Sequence, residues 1–127
     1  MSSQAFDDEA HERWGDTDAY KESARRTKNY SAEDFALANK RAAEIVQDFI
    51  DAISSGLSAE SEQAALVAEA HRQHITDWYY TCTYDIHVGL AHMYVADERF
   101  KNNYDSQYPS LAQYVHDAII ANAVNNS

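Results

Sequence analysis

Cysteine, proline and glycine are scarce in this 127-residue chain, which has one Cys, one Pro and three Gly. A single cysteine cannot close an intramolecular disulfide, so the fold does not lean on one, and a reducing cytoplasm is the expected compartment. No basic start runs into an apolar stretch, which excludes a recognisable signal peptide. No apolar run approaches the roughly 20 residues of a membrane span. Positive charge is also short, with 10 Lys and Arg against 21 Asp and Glu, a formal net charge of −11. A phosphate backbone rewards a basic face, so direct nucleic-acid binding is not expected.

The charge that is present is uneven. Residues 1–31 carry seven acids and five bases, and residues 32–127 carry fourteen acids and five bases. The second segment is an acidic body against which the first can lie without strong repulsion. Length suits one domain, and at 45% hydrophobic residues the chain can bury a real core.

Alanine is plentiful and apolar residues recur at helical spacing, which predicts an all-α protein. Residues 4–30 differ from the rest, with many charges, scattered Trp14, Tyr20 and Tyr30, and no wide apolar stripe. Two short helices broken at Gly15 fit this segment, the second capped by Asp16 or Thr17. Short helices without a broad buried face are marginal in water, so the segment is expected to be mobile until something covers it.

Ser31 with Asp34 reads as a capping box that opens the first strong helix. Phe35, Ala38, Ala42, Ile45, Val46, Phe49, Ile50 and Ile53 form its stripe, and Gly56 stands just past its end. Ser58 or Ser61 caps the next helix, whose stripe is Val67, Ala70, His71, His74, Ile75 and Trp78. After a break at Tyr79–Thr81, a helix from about Thr83 to Val95 turns Ile86, Leu90, Met93 and Tyr94 inward. Gly89 in its interior is expected to let a neighbouring backbone or a ligand come close. Asp97 caps a short helix to about Asp105. Pro109 at the first helical position starts the last helix, with Leu111, Tyr114, Val115, Ala118 and Ile119 inward.

The stretch Trp78–His87, "WYYTCTYDIH", holds the lone cysteine among aromatics. Free cysteine is often core filler. Cys82, however, falls at a helix start, where N–H groups and the dipole favour a thiolate, against the nearby Asp85. The balance predicts a moderately reactive thiol. His87 lies about 140° around the helix from Cys82 and diverges from it. His71 or His74 could approach, but no orienting third group or glycine-rich oxyanion loop accompanies them. His71 and His74 at i, i+3 can hold a metal, or can be buried histidines bonded to carbonyls or tyrosines. Without a carboxylate cluster on that stripe, no metal and no cofactor is expected. His92 points outward. Tyr79, Tyr80 and Tyr84 beside Trp78 suit the walls of a groove for a flat, partly polar organic molecule, since each buried hydroxyl would otherwise need a partner.

Together "ERWGDTDAYKESARRTKNYS", "AHRQHI", "YTCTYDIH", "GLAHMYVADERFKNNYD" and "LAQYVHDAIIANAV" resemble the TipAS family, the antibiotic-recognition domain of MerR-type transcription regulators. The resemblance covers about residues 6–127. It implies a globin-like bundle of short helices without haem, residues 31–127, and an N-terminal lid, residues 1–30, disordered until a ligand binds. It implies a bulky amphipathic antibiotic, thiopeptide-like, held in a cleft around Trp78, Tyr79, Tyr80, Tyr84, Asp85, Gly89, His71 and His74. Trp14, Tyr20 and Tyr30 are the lid's contribution. Cys82 matches a cysteine that adds to a dehydroalanine of the drug. A homodimer is expected only through a domain upstream of residue 1. The role is drug sequestration or the effector module of a drug-sensing regulator. From the residues alone, a small cysteine-dependent enzyme and an acidic protein-interaction domain remain as rivals.

Overall fold

The computed structural model describes residues 18–126. Trp14, Gly15 and the cap expected at Asp16 or Thr17 lie outside them. Six α-helices form the described chain: α1 Asp18–Thr27, α2 Ala32–Ser54, α3 Glu62–Trp78, α4 Tyr84–Ala96, α5 Glu98–Asp105 and α6 Leu111–Asn125. No strand occurs among the described residues, and none of these helices is long and apolar enough to cross a membrane.

The helix ends follow local side-chain chemistry. Ser31 Oγ accepts the Asp34 N–H at 3.1 Å while Asp34 Oδ2 accepts the Ser31 N–H at 2.9 Å, which closes the capping box. Gly56 sits at φ 78°, the left-handed conformation that lets the Leu57 N–H turn back to the Ala52 carbonyl at 3.1 Å. Ser61, not Ser58, caps α3, because its Oγ accepts the Ala64 N–H at 3.2 Å, whereas Ser58 Oγ bonds Glu60 in the preceding turn. Thr83 and Asp97 cap α4 and α5 in the same way.

Ile45, Phe49 and Ala52 of α2 meet Ala64, Val67 and Ala68 of α3, Ala91 and Tyr94 of α4, and Tyr104 of α5. Leu111, Val115, Ala118 and Ile119 of α6 complete this core, with α6 packed on α3, α4 and α5. All five residues expected inward on α6 are buried. Three expectations need correction. Phe35 is 38% exposed, at the rim rather than on the buried stripe. On α4 the buried line is His87, Ala91 and Tyr94, while Ile86, Leu90 and Met93 are only half-buried flanks. Pro109 lies in the turn before α6 rather than inside it, and the helix starts at Leu111 behind Ser110.

Ser110 adopts φ 65°, ψ 16° and its side chain makes no capping bond. Asp105 Oδ1 reaches over from α5 to take the Ala112 N–H at 3.0 Å instead. A left-handed serine costs roughly 1–2 kcal/mol, and glycine returns roughly 0.5–1 kcal/mol of that through the unfolded chain. Ser110→Gly is therefore expected to stabilise the protein by about 0.5–1 kcal/mol. Urea denaturation checks this as a higher midpoint at unchanged slope.

Candidate functional site

The connection between α3 and α4, residues 79–83, carries Cys82 and is fixed from several directions. The Cys82 N–H donates to Thr76 Oγ1 at 3.0 Å. Its carbonyl accepts from Arg72 Nη1 at 2.8 Å. Arg72 also grips Glu69 with Nε at 3.1 Å and Nη2 at 2.5 Å, and its guanidinium lies 4.3 Å from the centre of the Tyr84 ring. Asn122 of α6 donates to Glu69 Oε1 at 3.1 Å. The Arg72 bonds hold the Glu69 carboxyl down at about 2 against the opposing effect of burial. Asn122 Nδ2 thus ties α6 into a chain that ends at the Cys82 carbonyl.

Cys82 itself has 0% exposure, and its thiol faces the Thr83 carbonyl at 3.8 Å. Burial pushes the thiol up to about 11, with Arg72 pulling the other way and Glu69 adding to the rise. The expected moderately reactive thiol is thereby overturned. Thr83, not Cys82, is the N-cap of α4, and desolvation outweighs what a helix terminus can give a thiolate.

The histidines sort into three environments. His74 is buried and its Nε2 donates to the Ala38 carbonyl at 2.9 Å. His71 Nδ1 lies 2.8 Å from His87 Nε2, with the rings stacked at 21°. His87 is 0% exposed, and its Nδ1 finds no hydrogen-bond partner. A buried N–H without an acceptor is rarer than a buried lone pair without a donor. That assigns the proton to His87 Nε2, donating to His71 Nδ1, and leaves His87 Nδ1 a bare acceptor. Burial among the core side chains lowers His71 to about 4 and His87 to about 3. No group of three His, Cys, Asp or Glu stands together as a metal cluster among the described residues.

Aromatic side chains line the same region and stay partly open. Tyr20, Tyr30, Trp78, Tyr79, Tyr80 and Tyr84 are each half-buried. Tyr30 sets its ring edge-on to Phe35 at 5.5 Å and to Trp78 at 5.6 Å, and its hydroxyl donates to the Trp78 carbonyl. Tyr79 stands 6.2 Å from the His74 ring. Burial pushes Tyr80 up to about 12. Asp85 is exposed on the first turn of α4. Gly89 is also exposed, and a Cβ there would meet nothing within 4 Å, so no neighbouring backbone approaches it as expected.

Helix α1 closes onto this connection through polar contacts. Arg26 Nη1 donates to the Thr76 carbonyl at 2.5 Å, and Glu22 Oε1 accepts the Thr81 N–H at 3.3 Å. Glu22 and Arg26 pair with each other at 2.6 Å. With Tyr30, these groups satisfy two of the last carbonyls of α3, where a helix leaves its acceptors unpaired and where a cation is favoured by the dipole. No residue of α1 is buried.

A broad concavity lies elsewhere. About 850 Å³ opens between the α2–α3 connection and α6, walled by residues such as Ile53, Leu57, Tyr114 and Ile120, with no sequence-predicted site residue in its wall. Tyr114 is its one aromatic, and the hydroxyl is already committed to the Leu57 and Ser58 carbonyls. The aromatic cluster at the α3–α4 connection is the better candidate for a flat, partly polar ligand.

The profile of the TipAS antibiotic-recognition domain matches residues 6–122. The chain belongs to the TipAS family. The HTH-type transcriptional activator TipA of Streptomyces coelicolor is 43% identical over 122 residues, covering 96% of this chain and 48% of the relative. The HTH-type transcriptional activator mta of Bacillus subtilis is 32% identical over 117 residues, covering 92% and 44%. The chain thus spans about half the length of the curated relatives it matches. Among solved structures, TipAS of Streptomyces lividans in complex with nosiheptide superposes with a TM-score of 0.92 at 42% identity, covering 100% of this chain and 89% of that one. The antibiotic-binding domain of a TipA-class multidrug resistance regulator gives 0.67 at 43% identity, covering 71% and 96%.

Sequence reasoning brought Cys82, Trp78, Tyr79, Tyr80, Tyr84 and Tyr30 to one region of this TipAS domain, and the structure places them there. It missed Glu69, Arg72, Thr76 and Asn122. Asn122 had a readable signal, since it stands on the inward line of α6 four residues after Ala118, where a polar side chain demands a buried partner.

Proposed function

We propose that this TipAS domain captures a bulky thiopeptide antibiotic between the segment of residues 6–30 and the body around the α3–α4 connection. The observation that carries the reading is that α1 is fastened without being packed. Its side chains bond the backbone at the end of α3 and within the connection, yet none is buried. Half-buried aromatics of the body, with Tyr30 set against Trp78, keep part of their surface exposed for an amphipathic guest. A guest that covers them adds the apolar burial α1 lacks and offsets the ordering cost of about 1–2 kcal/mol per residue. The thiopeptide class comes from the nosiheptide complex, to which the whole chain is similar. In a longer parent, ordering of this segment would report the drug to the rest of a regulator.

Capture is non-covalent in the resting arrangement. A thioether forms when the Cys82 thiolate adds to the β-carbon of a dehydroalanine and the α-carbon takes up the proton. That step requires an exposed, ionised sulfur, whereas Cys82 is sealed and its thiol is raised. With nosiheptide, amide exchange in residues 6–30 is expected to slow within the first minutes, in wild type and Cys82→Ala alike. Affinity should differ less than about threefold between the two, which is under 1 kcal/mol. Any mass adduct should appear far more slowly than binding and be absent in Cys82→Ala. Unchanged exchange with nosiheptide and with thiostrepton would overturn the thiopeptide reading. Turnover of the drug into released product would favour an enzyme.

A further inference from the structure

A second pair of histidines stands away from the aromatic cluster, where α4 and α6 lie side by side. His92 Nδ1 of α4 is 3.2 Å from His116 Nε2 of α6, and the rings tilt by 51° with centroids 5.2 Å apart. His116 Nδ1 donates to Asp117 Oδ1 at 2.8 Å, and Gln113 Nε2 donates to the same oxygen at 2.8 Å. We propose that His92 and His116 together bind a divalent late first-row transition ion, Zn²⁺ being the representative case, and so clip α4 to α6.

The geometry carries this in three steps. The Asp117 carboxylate can only accept, so it fixes the His116 proton on Nδ1 and leaves the Nε2 lone pair aimed at His92. That is the carboxylate–histidine–metal arrangement seen around bound zinc. Two imidazole nitrogens at Zn–N bonds of about 2.0–2.1 Å stand about 3.3 Å apart in a tetrahedral site. The observed 3.2 Å matches, so an ion enters with small ring rotations and little backbone movement. His92 now donates from Nδ1 to His116. On binding, that proton is lost to solvent and one is taken up at Nε2, which frees the second lone pair.

Access is also present. His92 borders an opening of about 310 Å³ with Met93, Ala96 and Asp97. His116 and Asp117 border the larger groove of about 850 Å³. No third His, Cys, Asp or Glu joins the pair in a ready-made cluster among the described residues, so water completes the coordination shell. Nitrogen ligands select Cu²⁺, Ni²⁺ and Zn²⁺ over Mg²⁺ and Ca²⁺, with Cu²⁺ held most tightly. The buried pair His71–His87 does not qualify, because its nitrogens are only 2.8 Å apart and His87 is sealed from solvent.

The test uses the untagged chain, with ZnCl₂ alone as titrant in calorimetry and thermal unfolding at pH 7.5. One ion per chain is expected, with a melting temperature that rises with its concentration because only the folded state holds both nitrogens. His92→Ala and His116→Ala should each weaken binding at least tenfold and remove the thermal shift. Asp117→Asn should weaken it about tenfold, as loss of a carboxylate behind a histidine ligand does. MgCl₂ should do nothing. Each ring lies at the surface or its edge, and circular dichroism of each variant confirms the fold. Zn²⁺ binding of equal strength in both histidine variants, or none in wild type at millimolar ion, would overturn the proposal.

Discussion

Replacing Arg72 by alanine should cost about 2–3 kcal/mol of stability and lower the melting temperature by roughly 10 °C. Arg72 is only 17% exposed along its side chain and makes three kinds of contact at once. It holds the Glu69 carboxylate, the Cys82 carbonyl and the face of Tyr84. Glu69 is 37% exposed, so its freed charge reaches water and the pair alone is worth little. The larger loss comes from the Cys82 carbonyl, which belongs to a fully buried residue and has no second donor among the described residues. Arg72→Lys keeps the charge but not the planar fork that spans carboxylate and carbonyl, and should recover less than half of the loss. Because Arg72 fixes residues 79–83, affinity for nosiheptide should fall about tenfold in both variants, which is about 1.4 kcal/mol. Calorimetric unfolding and ligand titration check the two effects separately. A stability loss below about 1 kcal/mol would mean that residues 79–83 hold their shape without this network.

How much of this was legible in the sequence depends on the range of the interaction. Caps at Ser31 and Asp97, and Ser61 as one of two candidates, were readable because each side chain bonds an N–H two or three residues away, whereas Thr83 reads as the first helical residue rather than the cap it is. Gly56 was readable because only a left-handed residue turns the chain there. The face of α4 was not. Ile86, Val88, Leu90, Ala91, Met93, Tyr94 and Val95 spread apolar groups around most of the helix, so spacing alone could not choose a side. The choice was made by His87, which needs His71 on another helix as its partner. Cys82 was misread for a related reason. Its position at a helix start is local and visible, whereas its burial, with Arg72 and Thr76 holding its backbone, arises only when α3 and α4 fold together. The absence of a wide apolar stripe in residues 4–30 was legible, and the helix described within them, α1, buries no residue. Its anchoring to the backbone at Thr76 and Thr81 could not be read, because backbone acceptors look alike in every sequence.

Mild acid is expected to unfold this domain through the His71–His87 pair. Both imidazoles are lowered in the folded state, to about 4 and about 3, chiefly by burial. Unfolded, each titrates near 6.5. Between those values the unfolded chain binds more protons than the folded one, so stability is complete above about pH 6.5 and falls as pH drops towards 4. The groups facing the pair shape the window. Beyond burial, His74 opposes protonation of His71, His71 and Arg72 oppose protonation of His87, and Glu69 favours it at His87. A single proton shared between Nδ1 of His71 and Nε2 of His87 would keep one bond, and the second proton has no acceptor. Each ring that must stay neutral adds up to about 1.4 kcal/mol per pH unit, and the summed loss by pH 4.5 is on the order of a few kcal/mol. Glu69 contributes in a separate, lower window, since its carboxyl is held at about 2 and its stabilisation fades only as pH falls below the usual carboxylate value. His87→Leu is the decisive variant. Leucine fills similar space and removes both the buried bare nitrogen and one of the two lowered imidazoles, and His71 stays lowered by its own burial. Its stability at pH 7.5 should stay within about 1 kcal/mol of wild type. Urea unfolding at pH 7.5, 6.5, 5.5 and 4.5 should then give a slope between 6.5 and 4.5 of about half that in wild type, because one of two lowered imidazoles is gone. Parallel slopes in the two proteins would place the acid sensitivity elsewhere in the fold.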